Sequence, residues 1–361
     1  MTSSSERLDV TNVYELQQIA KQDPTRLSEF MRALDSISQK YNQLGQLGPL
    51  ADLLHSSLRD VEPILGQDHP SILTIRNNLA TAYESTGRLS EAIKLYEQNL
   101  TAAQQQDVDN SHLLTYRSNL ANAYKNAGRL NKARALFDDI LDDAVRIMGP
   151  DHPITLTTRN NLGGVYEAAG QLEQAISLYE QTLLSRERQL GFDHPDTLTS
   201  RNNLAYALSE QGNISAAIAL YEQVLVDTER TLGAEHPNTL ISRNNLAYAL
   251  SEQGNVSEAI ALYEQVLSGR ERVLGSDHPD TLNSYSSLAG AYESIGRIGE
   301  AIELYQQVLT NAERVLGPDH PDSLMFRNNL AGAYESIGRI GEAIELYQQV
   351  LTNAERVLGP D

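Results

Sequence analysis

The chain repeats itself. Asp-His-Pro, or its variant Glu-His-Pro, brings a histidine to positions 69, 152, 194, 236, 278 and 320, and the last five lie 42 residues apart. Arg-Asn-Asn-Leu returns from Arg76, Arg159, Arg201, Arg243 and Arg327, with Arg117-Ser-Asn-Leu and Tyr285-Ser-Ser-Leu as weaker copies. Leu288 to Asp319 and Leu330 to Asp361 are identical over 32 residues. A period of this length means one small supersecondary unit stacked on copies of itself, because a single unit cannot bury its own apolar face.

One copy, Asp193 to Gly233, shows what the unit is. Pro195 sits where a first helical turn tolerates it, since its missing N–H would have had no partner there, and Asp196 puts negative charge near the positive end of the helix dipole. Leu198, Leu204, Ala205 and Leu208 then recur at helical spacing until Gln211-Gly212-Asn213 breaks the pattern, which predicts helix A of about 16 residues. Ala217, Ile218, Leu220, Tyr221, Val224 and Leu225 predict a slightly longer helix B. Arg230 suits its negative end, and Gly233 fits a left-handed cap. The expected fold is all-α: a right-handed α-solenoid of stacked antiparallel helix pairs, with a concave wall made mainly of A helices.

The array has irregular ends. Residues 1–23 are expected to hold an N-terminal capping helix around Val13 to Lys21, and 24–66 a degenerate helix pair in which Tyr41 and Gly45 stand 42 before Tyr83 and Gly87. Seven repeats fill 67–361, the last one uncapped. The second is one residue short, 41 between Arg76 and Arg117, and Asp107 to His112 replaces the usual turn, which predicts a local change in stacking. Ile344, Leu346, Tyr347, Val350 and Leu351 end the chain with no polar cap after them. The stop within Gly359-Pro360-Asp361 reads as the edge of a fragment of a longer protein; the alternative is an end that docks on another copy.

There is no cysteine, which excludes disulfides and thiolate metal sites, and no apolar run approaches the roughly 18 residues of a membrane helix. A formal net charge of −20 works against nucleic acid, whose phosphates demand clustered Lys and Arg. A soluble, cytoplasmic chain with no membrane partner is expected.

Asn-Leu-Ala-x-Ala-Tyr, then Gly, then Glu-Ala-Ile-x-Leu-Tyr, with Leu79, Ala80, Tyr83, Gly87, Ala92 and Tyr96 in the first clear copy, resembles the tetratricopeptide repeat. The added Leu-Gly-x-Asp-His-Pro-x-Thr-Leu and Asn-Asn-Leu-Ala are similar to the 42-residue variety of kinesin light chains and of the C-terminal regions of NB-ARC and NACHT proteins. The resemblance covers residues 67 to 361 and implies an interaction scaffold.

Signs of catalysis are poor. The repeating histidines belong to different units, too far apart to share an ion, and are expected in turns and caps. No Gly-x-x-x-x-Gly-Lys-Ser/Thr loop and no Gly-x-Ser-x-Gly elbow occurs. The recurrent Glu of helix B read as a solvated face. No enzyme activity, cofactor or metal is expected.

Asparagine is a mediocre helix former, yet it recurs in pairs midway along helix A: Asn77/Asn78, Asn160/Asn161, Asn202/Asn203, Asn244/Asn245 and Asn328/Asn329, with Asn119 single. Amides carry both donor and acceptor, so an aligned ladder can hold the backbone of an extended peptide whatever its side chains. The resemblance implies that role for the second of each pair, Asn78, Asn119, Asn161, Asn203, Asn245 and Asn329, facing the groove. The alternative, favoured for the first of each pair, is that the amides tie one helix to the next. Three residues on, Tyr206 and Tyr248 stand out because the usual core Tyr two places later has become Leu208 or Leu250; either the core residue was swapped or two rings line the groove. Glu210 and Glu252 follow one turn later, so these two units are the expected centre of specificity. The recurrent Arg of Arg-Asn-Asn-Leu is expected to pair with helix B carboxylates, or else to edge the groove with positive charge. Few Lys or Arg fall on the wall, so the acidic, tryptophan-containing cargo that the resemblance implies for kinesin light chains does not fit.

The reading is a non-catalytic scaffold that binds a protein or peptide segment in its concave groove through the Asn ladder, as a monomer or with weak self-association. The alternatives are the ligand-sensing repeat region of a larger NB-ARC or NACHT-type signalling protein, and a self-assembling repeat scaffold.

Overall fold

The computed structural model describes residues 15, 17–18, 23–43, 46–105 and 110–358. The described residues form a short 3-10 turn, Pro24–Arg26, and sixteen α-helices, with no strand among them. In order these are α1 (Leu27–Gln43), α2 (Leu47–Leu65), α3 (Pro70–Ser85), α4 (Leu89–Gln105), α5 (Asn110–Asn126), α6 (Leu130–Met148), α7 (Pro153–Ala168), α8 (Leu172–Leu190), α9 (Pro195–Glu210), α10 (Ile214–Leu232), α11 (Pro237–Gln253), α12 (Val256–Leu274), α13 (Pro279–Ser294), α14 (Ile298–Val315), α15 (Pro321–Ser336) and α16 (Ile340–Leu358). From α3 onward odd-numbered helices are the A helices of the repeats and even-numbered ones the B helices. Contacts group the chain into two compact units, residues 1–136 and 137–361, with the division inside α6.

Each A helix that follows a His-Pro pair starts the same way. His69, His152, His194, His236, His278 and His320 are N-caps whose Nδ1 accepts the backbone N–H two residues on at 3.2 Å. The imidazole thus satisfies one of the donors that a helix start leaves open, and the proline after it needs no donor at all. These histidines are capping groups, as their place in the turns predicted. At the other end of helix B the cap differs from expectation: Gly233 has φ 91 and ψ 160, outside the left-handed helical well. Its ψ is extended, so the chain leaves the helix at once toward the next His-Pro turn, a conformation closed to side-chain-bearing residues.

Packing follows a small-to-large rule. Ala205, Ala247, Ala289 and Ala331 of the A helices are fully buried, and Tyr179, Tyr221, Tyr263 and Tyr305 of the B helices are at most 4% exposed. In α7 the small position is Gly163, where a Cβ would lie only 2.7 Å from the Tyr179 ring. In the first unit the core gathers Phe30, Leu34, Leu54, Ile72, Ile75, Leu79, Tyr83 and Tyr96. Of the expected capping helix, Val13, Tyr14, Leu16 and Ile19 to Lys21 lie outside the described residues. Glu15, Gln17 and Gln18 are helical, and Gln17 is buried with its Nε2 donating to Asp60 Oδ2 of α2 at 2.8 Å. Of the irregular turn at Asp107 to His112, residues 107–109 lie outside the described ones.

Buried charge ties repeat to repeat. Arg76 donates to Glu62 at 2.7 Å, Arg201 to Glu187 at 3.0 Å, and Arg243 and Arg327 to Glu229 and Glu313. Each glutamate stands fourteen residues earlier, on the preceding B helix. The four guanidinium side chains are 9% exposed or less, so they do not edge the wall with positive charge. Tyr285 replaces the arginine in α13 and its hydroxyl donates to Glu271, again fourteen residues back. Arg159 has Val145 at that offset and donates instead to the Pro150 carbonyl at 3.2 Å. No helix among the described residues is long and apolar enough to cross a membrane.

Candidate functional site

In the second unit α9 touches α7 on one side and α11 on the other, so consecutive A helices share a face that the B helices stand behind. The asparagines lie along these helices, half-buried except Asn328, which is exposed. Their bonding is specific: Asn203 Nδ2 donates to Asn160 Oδ1 at 3.2 Å, and Asn329 Nδ2 to Ser286 Oγ at 3.2 Å. In the first unit Asn119 Nδ2 donates to Asn77 Oδ1 at 2.8 Å. Where the bond is made, the second asparagine of one repeat donates an N–H to the residue at the first place in the repeat before it, an amide in two cases and the Ser286 hydroxyl in the third, so both places take part in the inter-helix tie. An amide has two N–H donors and a carbonyl with two lone pairs, so each of these second asparagines keeps further capacity after that bond.

The repeats differ in how completely the tie is made. Asn202 Oδ1 and Asn244 Oδ1 are buried with no hydrogen-bond partner. Opposite Asn244 the second asparagine has become Ser287, whose hydroxyl donates instead to the Asn283 carbonyl at 3.1 Å. Asn202, Asn203 and Asn245 line one cleft of about 250 Å³ between α9 and α11, together with Leu198, Thr199 and Ile241. Thr228 of α10 lines it as well and is buried. One repeat earlier and one later the same position is Arg186 or Arg270, which fills the seam. Arg186 Nη1 donates to the Asp196 carbonyl and to Ser200 Oγ, both at 2.8 Å, and Arg270 Nη1 bonds Asp280 O and Ser284 Oγ at 2.9 and 2.7 Å. Burial pulls both guanidinium pKa values below their ordinary range. Sequence reasoning passed over these two arginines. Their signal is that a position holding Ala144, Thr228, Ala312 and Ala354 elsewhere carries a long cation in only these two repeats.

One turn along from Asn203 and Asn245 stand Tyr206 and Tyr248, 40% and 38% exposed. Leu208 and Leu250 pack against the core at the place that Tyr292 and Tyr334 hold in later repeats, while the rings of Tyr206 and Tyr248 are partly exposed. Glu210 and Glu252 are exposed beside them. Burial, then Glu210, Glu167 and Tyr248, push the Tyr206 phenol above its ordinary value; burial, then Glu252 and Glu210, do so for Tyr248. Behind them Tyr221 is raised by burial first and then by Tyr206, Glu167, Tyr248 and Glu210. Glu167 also accepts from Tyr179 Oη at 3.0 Å, and its part in this negative patch was not foreseen from sequence.

The other expected residues sit apart from this centre. Asn78 lines a separate cleft of about 280 Å³ in the first unit, with Asp35, Ser38 and Thr81. Asn161 is half-buried in α7. Among the described residues no group of three or more His, Asp or Glu could hold a metal ion.

The tetratricopeptide-repeat profile matches residues 41–105, 112–186, 162–226, 227–272, 249–314 and 296–356, and a second tetratricopeptide profile matches 74–147. Among solved structures, the Q17M form of nearly identical tetratricopeptide-like repeats from Podosopora anserina, assigned as kinesin light chain, is 36% identical with a TM-score of 0.50. The match covers 57% of this chain and 97% of that one. A Rap protein complexed with Competence and Sporulation Factor is 12% identical over 96% of this chain and 97% of its own, with a TM-score of 0.63. A signal transduction ATPase with numerous domains and a tetratricopeptide repeat sensor, from Pyrococcus horikoshii, is 14% identical with a TM-score of 0.53 over 94% of this chain and 51% of its own. No curated protein sequence matches.

Proposed function

The chain belongs to the tetratricopeptide-repeat family, and from that premise we propose that it is a non-catalytic scaffold whose A-helix wall binds an extended segment of a protein partner through its asparagine amides. The observation that carries the reading is the cleft between α9 and α11, where Asn202, Asn203 and Asn245 converge with the exposed rings of Tyr206 and Tyr248 one helical turn away. Side-chain amides pair with backbone N–H and C=O groups without regard to sequence, so they supply affinity, and pockets beside them supply choice. The two central repeats, with Tyr206, Glu210, Tyr248 and Glu252, are the part of the wall that differs most from its neighbours and are therefore the specificity centre of this reading. The Rap fold, seen with a factor bound, is compatible with it.

The test is capture of random peptides by the full chain, compared with Asn203→Ala/Asn245→Ala of unchanged helicity. Wild type is expected to retain a set of peptides, and the double variant to bind them at least about tenfold more weakly, the equivalent of one lost net hydrogen bond at each amide. Absence of any captured peptide, or capture indifferent to the double variant, would refute the reading.

A further inference from the structure

At the place near the end of the A helix that holds Tyr83, Tyr124, Tyr166, Tyr292 and Tyr334, four of the five tyrosines come with a cation from their own repeat; Tyr166, with Gln171 after its glycine, does not. Arg88 lies over the Tyr83 ring at 3.8 Å, Lys132 over Tyr124 at 5.4 Å, Arg297 over Tyr292 at 4.1 Å and Arg339 over Tyr334 at 4.2 Å. Three of these cations, Arg88, Arg297 and Arg339, directly follow the turn glycine. In the two central repeats both halves of the arrangement change together: the residue after the glycine is Asn213 or Asn255, and the tyrosine has moved two places to 206 or 248. No described cation lies over either moved ring. The single basic residues of α9 and α11 are Arg201 and Arg243, and both are buried in ion pairs with the preceding B helix. Neither Glu210 nor Glu252 is in an ion pair with a described residue. The centre of the wall thus presents two exposed aromatic faces beside carboxylates, with its own cations turned inward.

We propose that Tyr206 and Tyr248, flanked by Glu210 and Glu252, take an arginine or lysine side chain of the bound segment in place of the cation that other repeats supply themselves. This rests on the wall being the binding face. A guanidinium or ammonium is attracted to the negative face of an aromatic ring, and a nearby carboxylate adds to the same attraction. An acidic segment would meet like charge at Glu210 and Glu252, and a purely apolar one would gain nothing from the carboxylates or from the ring quadrupoles. The segment is therefore basic at the residues that reach this centre, in keeping with a chain of net charge −20.

The experiment uses the full chain and the peptides it captures from a random array, each resynthesised with Arg as citrulline and Lys as acetyl-lysine. The captured set is expected to be enriched in Arg and Lys. The neutral versions are expected to bind about five- to thirtyfold more weakly, the range for two exposed cation–π contacts. In Tyr206→Leu/Tyr248→Leu that difference is expected to vanish, while Tyr206→Phe/Tyr248→Phe keeps it because the rings remain. Glu210→Gln/Glu252→Gln is expected to weaken binding and flatten its salt dependence. Peptides that are lost by Asn203→Ala/Asn245→Ala but tolerate citrulline, or that discriminate equally well in the Leu variant, would overturn this inference and leave the groove standing. Failure to capture any peptide would remove the groove and this inference with it.

Discussion

Arg201 Nη2 lies 3.0 Å from Glu187 Oε1, so a cation only 4% exposed is held by a carboxylate from the repeat before it. Its Nη1 reaches Asp227 Oδ2 at 3.1 Å on the following B helix, and one side chain therefore joins three consecutive helices. Removing the carboxylates would leave the guanidinium buried and uncompensated, whereas removing the arginine leaves two carboxylates that can turn to water. Glu187→Gln/Asp227→Asn is expected to cost about 3 kcal/mol and Arg201→Met clearly less, read from urea midpoints. The reverse order would mean that the arginine stem packs more than it pairs.

The unpartnered acceptor of Asn244 invites a gain. Ser287→Asn places an amide where the other repeats have one, with the donor direction that Asn203 uses toward Asn160. Stability is expected to rise by about 1 kcal/mol, with Ser287→Ala showing no such rise. Equal midpoints for the two variants would show that α11 and α13 stand too far apart at this level for the bond.

Acid is expected to loosen the start of α13. Burial, opposed by Asp280 and assisted by Arg270, holds the His278 imidazole below its ordinary pKa of 6.5, and its Nδ1 must be unprotonated to accept from Asp280 N. The folded state therefore binds this proton less readily than the unfolded state, and the contribution is present above 6.5 and is lost as the pH falls through the lower folded value. His278→Asn caps without titrating, so its urea midpoint is expected to fall less with acid than that of wild type. Parallel curves for the two proteins would rule this out.

Alkali loosens the fold as well, through phenols whose ionisation is held back in the folded state. Burial raises Tyr179, Tyr221, Tyr263 and Tyr305 well above the ordinary value of 10.0, and burial with the Glu271 hydrogen bond pushes Tyr285 up to about 12. Their contribution is whole below 10.0 and is lost as the pH climbs through the folded values, because the unfolded chain ionises first. Tyrosinate absorbance in this range is expected to rise together with the loss of far-UV dichroism. Full ionisation with the helices intact would contradict the burial.

Much of this architecture was legible without coordinates. The 42-residue period, the His-Pro starts, the glycine turns and the split into A and B helices depend on local backbone rules, on which neighbouring residues decide among a few conformations. The arginine–glutamate ties were foreseeable in kind, since a cation that recurs on packed helices needs a partner; four copies make the tie, while Tyr285 takes the arginine's place in α13 and Arg159 turns to the Pro150 carbonyl. Tertiary structure decided what depends on how far one helix is displaced against the next. The amide bond from Asn203 reaches back 43 residues, not 42, so it joins the second asparagine to the first and not like to like. That offset is set by how one A helix packs against the next, which no residue spacing encodes. The same packing leaves Asn202 Oδ1 without a partner although Asn245 stands 43 residues on, whereas Asn244 Oδ1 lacks one where Ser287 replaces the asparagine, and it leaves open beside Thr228 the place that Arg186 and Arg270 take in the repeats on either side. Sequence alone determined that the chain stacks repeats; the packing of helix against helix decided which of its polar groups are spent inside the stack and which remain for a partner.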